Sequence, residues 1–185
     1  MLTFNDVNRD FKAIFDGVSD ANRVVPSTAK AVMVALILPM IGITLSTLTF
    51  GVLCAGSNHR NISISLLVDY ILSGDAIPVY MSMVIGFLQV IILLPYIVLY
   101  HSIPQSIREK TPLITYFKKA LFKGVVLYIC TLLMTCLMSY HNPIYLFATP
   151  VVMCIAIFAT SMTFNLQMAK YGVGPLIHKL NKTIR

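Results

Sequence analysis

The chain has 185 residues, 57% of them hydrophobic and only 11% charged, with a net charge of +7. Soluble domains carry about a quarter charged residues, and a chain this short cannot bury so much apolar surface in one core, so composition excludes an ordinary soluble domain and makes lipid the expected solvent. The positive balance does not point to nucleic acid, because the basic residues flank apolar runs and no lasting basic-aromatic interleaving occurs.

Residues 1–30 form a cytoplasmic segment in this reading. Phe4, Val7, Phe11, Ile14, Phe15 and Val18 recur at helical spacing, with Asp6, Arg9, Asp10, Lys12 and Asp16 mostly on the other face. The pattern predicts an amphipathic helix ending near Gly17, followed by a linker through Pro26. Phe4, Phe11 and Phe15 are the candidate interfacial residues, expected to sit among lipid tails. Docking of the same face on a partner protein is the alternative.

Residues 31–168 are expected to form an all-α, polytopic transmembrane domain. Its first span, 31–55, carries no charge and is longer than the roughly 20 residues a span requires. The run starts too late and extends too far for a signal-peptide core. Pro39 predicts a kink. Gly42, Ser46, Thr47, Gly51 and Ala55 place small residues four apart, a candidate surface for close helix contact.

The apolar middle of residues 56–78, Ile62 to Leu72, is too short to span. A short helix on the far surface is expected there, closed by Ser73-Gly74-Asp75, with re-entry into the bilayer as the alternative. Asn61-Ile62-Ser63 matches a glycosylation sequon, a triplet that arises readily by chance.

The second span, 79–102, has Pro78 at its start, Pro95 inside it, and Tyr96, Tyr100 and His101 towards its end as an aromatic belt. Gln89, near its middle, must find a partner in lipid and is a further candidate helix-contact residue. Residues 103–119 read as a basic loop. The third and fourth spans, 120–140 and 144–168, form a helical hairpin about Tyr140-His141-Asn142-Pro143. Residues 169–185 form a basic cytoplasmic tail.

Of the 14 Lys and Arg, 13 fall on one side of this layout and only Arg60 on the other. The positive-inside rule then places both termini in the cytoplasm. The basic flanks are expected to contact anionic membrane lipids. A faint echo links residues 11–18, from Phe11 to Val18, with residues 117–125, from Phe117 to Val125; two basic-aromatic helix starts at one interface are the first reading, and a duplicated two-span unit is the alternative.

The chemistry is sparse. No Asp, Glu, Lys or Arg lies deep in a span, which argues against an ion- or proton-coupled transporter. His59, His101, His141 and His178 are scattered, and Cys54, Cys130, Cys136 and Cys154 show no metal-ligand spacing. No residue is assigned a catalytic, cofactor-binding or metal-ligating role, and no cofactor is expected.

In layout over the whole chain the sequence is similar to small inner-membrane proteins that block a foreign machine: conjugation entry-exclusion proteins and the immunity proteins of pore-forming colicins. No signature residue carries over. The likeness implies a bacterial inner-membrane protein whose partner is an incoming membrane or envelope protein. Non-catalytic recognition or scaffolding of another membrane protein is therefore the first expectation, with self-association into a homo-oligomer open. A small channel, or a subunit of a transporter or secretion complex, is the second. It would use Thr44, Ser46, Thr47, Thr49, Thr131, Thr135 and Ser139 as a polar lining. A lipid-acting enzyme would need the loop His59 and His141 to converge with Asp69 or Asp75.

Overall fold

A computed structural model describes residues 4–19, 27–57, 59 and 61–170, and within its helices the side chains of residues 4, 5, 164, 165 and 167–170 lie outside the description. The elements are α1 (Phe4–Ser19), α2 (Thr28–Ser57), α3 (Ile64–Ser73), α4 (Ile77–Ser102), α5 (Gln105–Lys110), α6 (Pro112–His141), a 3-10 turn (Pro143–Phe147) and α7 (Ala148–Lys170). Among the described residues there is no strand. Four helical segments, Thr28–Ser57, Ile77–Ser102, Pro112–His141 and Pro143–Thr163, are long and apolar enough to cross a membrane. Only 11–28% of the residues in their most apolar stretches are buried inside the protein. The remaining apolar surface has no covering within the chain, and lipid supplies one at no cost.

The four long helices form a bundle in which α2 packs most extensively on α4 and also touches α6 and α7. α7 completes the ring by contacting α4 and α6. Met153 of α7, fully buried, packs with Tyr128 and Leu132 of α6. Its sulfur lies 2.8 Å from where a Cβ at Gly42 of α2 would sit, and its methyl is within van der Waals range of Gly86 of α4. One flexible methionine thus fills the meeting point of all four helices.

Two smaller clusters close the ends. Phe50, Ala76, Val79 and Leu146 hold α3 and the 3-10 turn at one end, with Leu67, Tyr70 and Ile71 packed around them. At the other, Ile14 and Val18 of α1 pack on Ile103 and Ile114, with Phe15 and Ile107 alongside.

Several boundaries differ from the sequence reading. The expected loop 103–119 is mostly helical, because Thr111 ends α5 and Pro112 starts α6 two turns before residue 120. α6 therefore has 30 residues and is about 45 Å long, longer than the ~30 Å hydrocarbon core. The fourth apolar segment begins as a 3-10 turn, with Asn142 Oδ1 accepting from Ile144 N at 3.1 Å. Pro150 falls in the first turn of α7, where its missing N–H costs little. Pro39 and Pro95 lie inside continuous helices. α3 follows local signals closely: Ser63 Oγ accepts from Leu66 N at 3.2 Å, and Gly74 ends the helix at φ 86°. That cap gives Ser63 a structural role within the sequon triplet.

Candidate functional site

The small-residue positions of α2 are consumed inside the bundle. Ala31, Ala35, Pro39, Gly42, Ser46, Phe50, Gly51 and Ala55 are all buried along one stripe. A Cβ at Gly42 would lie 2.8 Å from Met153 Sδ and 2.9 Å from Tyr128 Oη, so a larger residue here must displace the ends of both side chains. At Gly51 the close neighbour is Leu67 of α3, at 2.8 Å. Ser46 meets Ser82 of α4 with the two Oγ atoms 3.0 Å apart. Ser82 Oγ is also 2.9 Å from Pro78 O, so one proton arrangement has Ser46 donating to Ser82 and Ser82 donating to the carbonyl.

The facing stripe on α4 is Val79, Ser82, Gly86 and Gln89, all buried. Its i, i+3, i+7, i+10 spacing was a readable signal for Ser82 and Gly86, which the sequence reading passed over in favour of Gln89 alone. A second inter-helix hydroxyl pair, Thr135 and Thr149 at 3.4 Å, links α6 to α7.

Gln89 is 2% exposed. Its amide reaches the Tyr128 hydroxyl of α6 across the bundle, while Oε1 itself makes no well-aligned hydrogen bond. Gln89 and Tyr128 thus face each other between α4 and α6. On its other side Gln89 lines a cleft between α4 and α7 with Ile92, Leu93, Tyr96, Ile157, Thr160 and Ser161.

The hydroxyls considered as a channel lining mostly turn back on their own helices. Thr47 donates to Ile43 O, Thr49 to Leu45 O, Thr131 to Leu127 O, Thr135 to Leu132 O and Ser139 to Thr135 O, each at 2.8 Å. Such bonds satisfy the hydroxyl without lining anything.

At the α1 end, the buried stripe is Val7, Asp10, Ile14 and Val18. Asp10 thus lies on the docked face, not with the outward charges as its type suggested. Its Oδ2 accepts from Leu113 N at 3.1 Å, so a carboxylate from α1 caps the N-terminus of α6. Gly17 lets α1 close on α5: a Cβ there would overlap Ile107 Cδ1. Phe11 and Phe15 are half-buried at the edges of this contact, and the Phe4 side chain is outside the described residues. The Arg108 guanidinium lies over the Tyr100 ring, 5.0 Å from its centroid, with Nε buried and unpartnered. Arg9, Lys12, Lys30, Lys110, Lys118, Lys119 and Lys123 are all exposed at this end. The side chains of Asn165 and Gln167, Arg60 and the tail beyond residue 170 lie outside the described residues.

At the opposite end α3 shows three stripes. Leu66, Leu67, Tyr70 and Ile71 face the bundle, and Tyr80 Oη donates to Ile71 O. Ser65 and Asp69 are exposed, and so are the apolar Ile64, Val68 and Leu72. Ser73 Oγ donates to Asp75 Oδ2 at 2.8 Å. Among the described residues no three His, Cys, Asp or Glu gather into a metal-binding group, and the four cysteines form no disulfide. Compared with known proteins, the chain matches no family model, no curated protein and no solved structure.

Proposed function

We propose that the protein is an integral membrane protein of four spans that recognises another membrane protein without catalysis, through the end of the bundle built by α3 and the 3-10 turn. The carrying observation is the outward stripe of α3: Ile64 is 82% and Leu72 80% exposed, on a ten-residue helix too short to cross a bilayer. Tyr140 and Ile144 are exposed at the same end. Large apolar side chains beside Ser65 and Asp69 make an amphipathic surface suited to a partner at the membrane boundary. The small-residue stripe of α2 is already occupied within the bundle, so recognition falls to this end.

Orientation follows the charge. The described basic side chains cluster at the α1 end, so that end faces the cytoplasm of a bacterial inner membrane and α3 faces outward. α1 lies at the cytoplasmic boundary, with the open edges of Phe11 and Phe15 towards lipid. The likeness in layout to entry-exclusion and colicin-immunity proteins makes an incoming envelope protein the partner class.

Photoreactive residues placed at Leu72, Asp69 and Phe87 in the native host test this reading. Phe87, 67% exposed on α4, reports the lipid-facing side. Capture of one membrane protein from Leu72 and Asp69 but not from Phe87 supports it. Capture of lipid and the protein's own copies alone from all three sites removes it and favours a self-assembled complex.

A further inference from the structure

Arg108 is held in place by its neighbours without being neutralised by them. Ile107 of α5 packs against the cluster of Ile14, Val18, Ile103 and Ile114, which fixes α5 on the bundle end. One residue on, the Arg108 guanidinium lies over the Tyr100 ring of α4, 5.0 Å from its centroid. His101 stands T-shaped to the same ring at 5.6 Å, and its Nδ1 lies 2.9 Å from Ile97 O, which holds the imidazole in turn. Arg108 is half-buried, and among the described residues its side chain makes no hydrogen bond or ion pair. Nε alone of the guanidinium nitrogens is buried without a partner, which leaves the two Nη groups at the surface. The adjacent carboxylate does not serve it: Glu109 is exposed, and its Oε1 accepts from Gln105 Nε2 at 2.8 Å. A cation partly withdrawn from water with no acid beside it is costly.

We infer that Arg108 is the headgroup site for an anionic phospholipid, with its two Nη groups donating to phosphate oxygens. A planar fork held flat against an aromatic ring is pre-organised for bidentate phosphate contact. The cation–π contact keeps the charge in place without cancelling it. The setting favours a lipid over a solute. Tyr100 is exposed and belongs to the aromatic belt at the end of α4. Ile92, exposed and eight residues earlier on the same helix, lies about 12 Å along it, within the ~15 Å half-thickness of the hydrocarbon core. An acyl chain hung from a phosphate at Arg108 thus meets apolar surface, whereas a free phosphate ion gains nothing from it. Shape as well as charge then selects the headgroup, which a loose collar of basic residues cannot do.

This inference rests on the membrane reading of the four helices but not on the partner proposed for α3. The full chain is first floated with phosphatidylcholine vesicles and then taken into mild detergent. Native mass spectrometry counts retained lipid during titration with phosphatidylglycerol or phosphatidylcholine of equal chain length. We expect a single saturable phosphatidylglycerol, bound about tenfold more tightly than phosphatidylcholine; this comparison needs no variant to fold. Arg108→Lys keeps the charge and loses the fork, and Tyr100→Leu keeps the charge and loses the platform. Each should weaken that lipid about tenfold while circular dichroism shows unchanged helicity. Tyr100→Phe keeps the ring, and Lys118→Gln removes a charge elsewhere at the same end; both should bind as the parent does. Equal binding of the two lipids, or a loss in Lys118→Gln as large as in Arg108→Lys, overturns the site and leaves a diffuse basic collar. Displacement by inorganic phosphate as readily as by phosphatidylglycerol assigns the guanidinium to a solute anion and overturns the lipid. Failure to float overturns the membrane reading and this inference with it.

Discussion

Asp10 is the residue whose type conflicts most with its place. A carboxylate on the buried stripe of a helix should be expelled, yet here it meets the N-terminus of α6, where backbone N–H groups lack intrahelical partners. The contact joins residues 10 and 113, so α1 is held by a directed bond as well as by Ile14 and Val18. Asp10→Ala should cost about 1 kcal/mol and speed amide exchange at Leu113 and along α1. Asp10→Asn keeps an acceptor and should retain most of the protection. Hydrogen-exchange mass spectrometry in lipid nanodiscs reads both variants. Gln89 invites the opposite result: Gln89→Leu should match or exceed the parent in thermal stability in detergent, because it removes a buried oxygen that makes no well-aligned hydrogen bond.

Among the elements, α2 and α4 are joined by close approach. Small residues let their backbones near each other, and packing takes the place of the hydrophobic drive that lipid removes. Gly42→Leu or Gly86→Leu must displace Met153, Ile43 or Tyr128 and should destabilise by about 1–3 kcal/mol. Gly124→Leu meets open space and should be near neutral. Unfolding in mild detergent separates the three variants. The Ser46–Ser82 pair should contribute little, about 0.6 kcal/mol of coupling in a double-mutant cycle with Ser46→Ala and Ser82→Ala. α3 differs from these helices in that local signals alone delimit it: a serine cap at its start and a left-handed glycine after its end.

For the whole molecule, the two end clusters give the bundle distinct faces. α1, α5 and the start of α6 share one end; α3 and the 3-10 turn share the other. Single cysteines at Glu109 and Ser65, with Cys54, Cys130, Cys136 and Cys154 replaced by alanine, should react with a membrane-impermeant maleimide from opposite sides. Ser65→Cys should label in intact spheroplasts and Glu109→Cys only after permeabilisation. The reverse pattern would invert the orientation, and labelling of both from one side would remove the four-span arrangement.

Local pattern and composition determined much of this protein. The charge-free run after Ala31, the helical spacing in residues 4–18, and the Ser63 and Gly74 signals around α3 each act through neighbours within a few residues. Helix type and apolar character are therefore present in the chain before it folds, although Pro112 starts α6 well before the apolar run at residue 120. Partnership is not. Asp10 interrupts the stripe Val7, Ile14, Val18 in a readable way, but its use depends on an N–H group 103 residues further on. Gly42 was legible as a small residue, whereas the Met153 thioether against it was not, because that contact depends on how four helices cross. Gln89 is legible as an amide in need of a neighbour, whereas Tyr128 of α6 as that neighbour is not. Such outcomes are set by distances between separate helices, which packing decides.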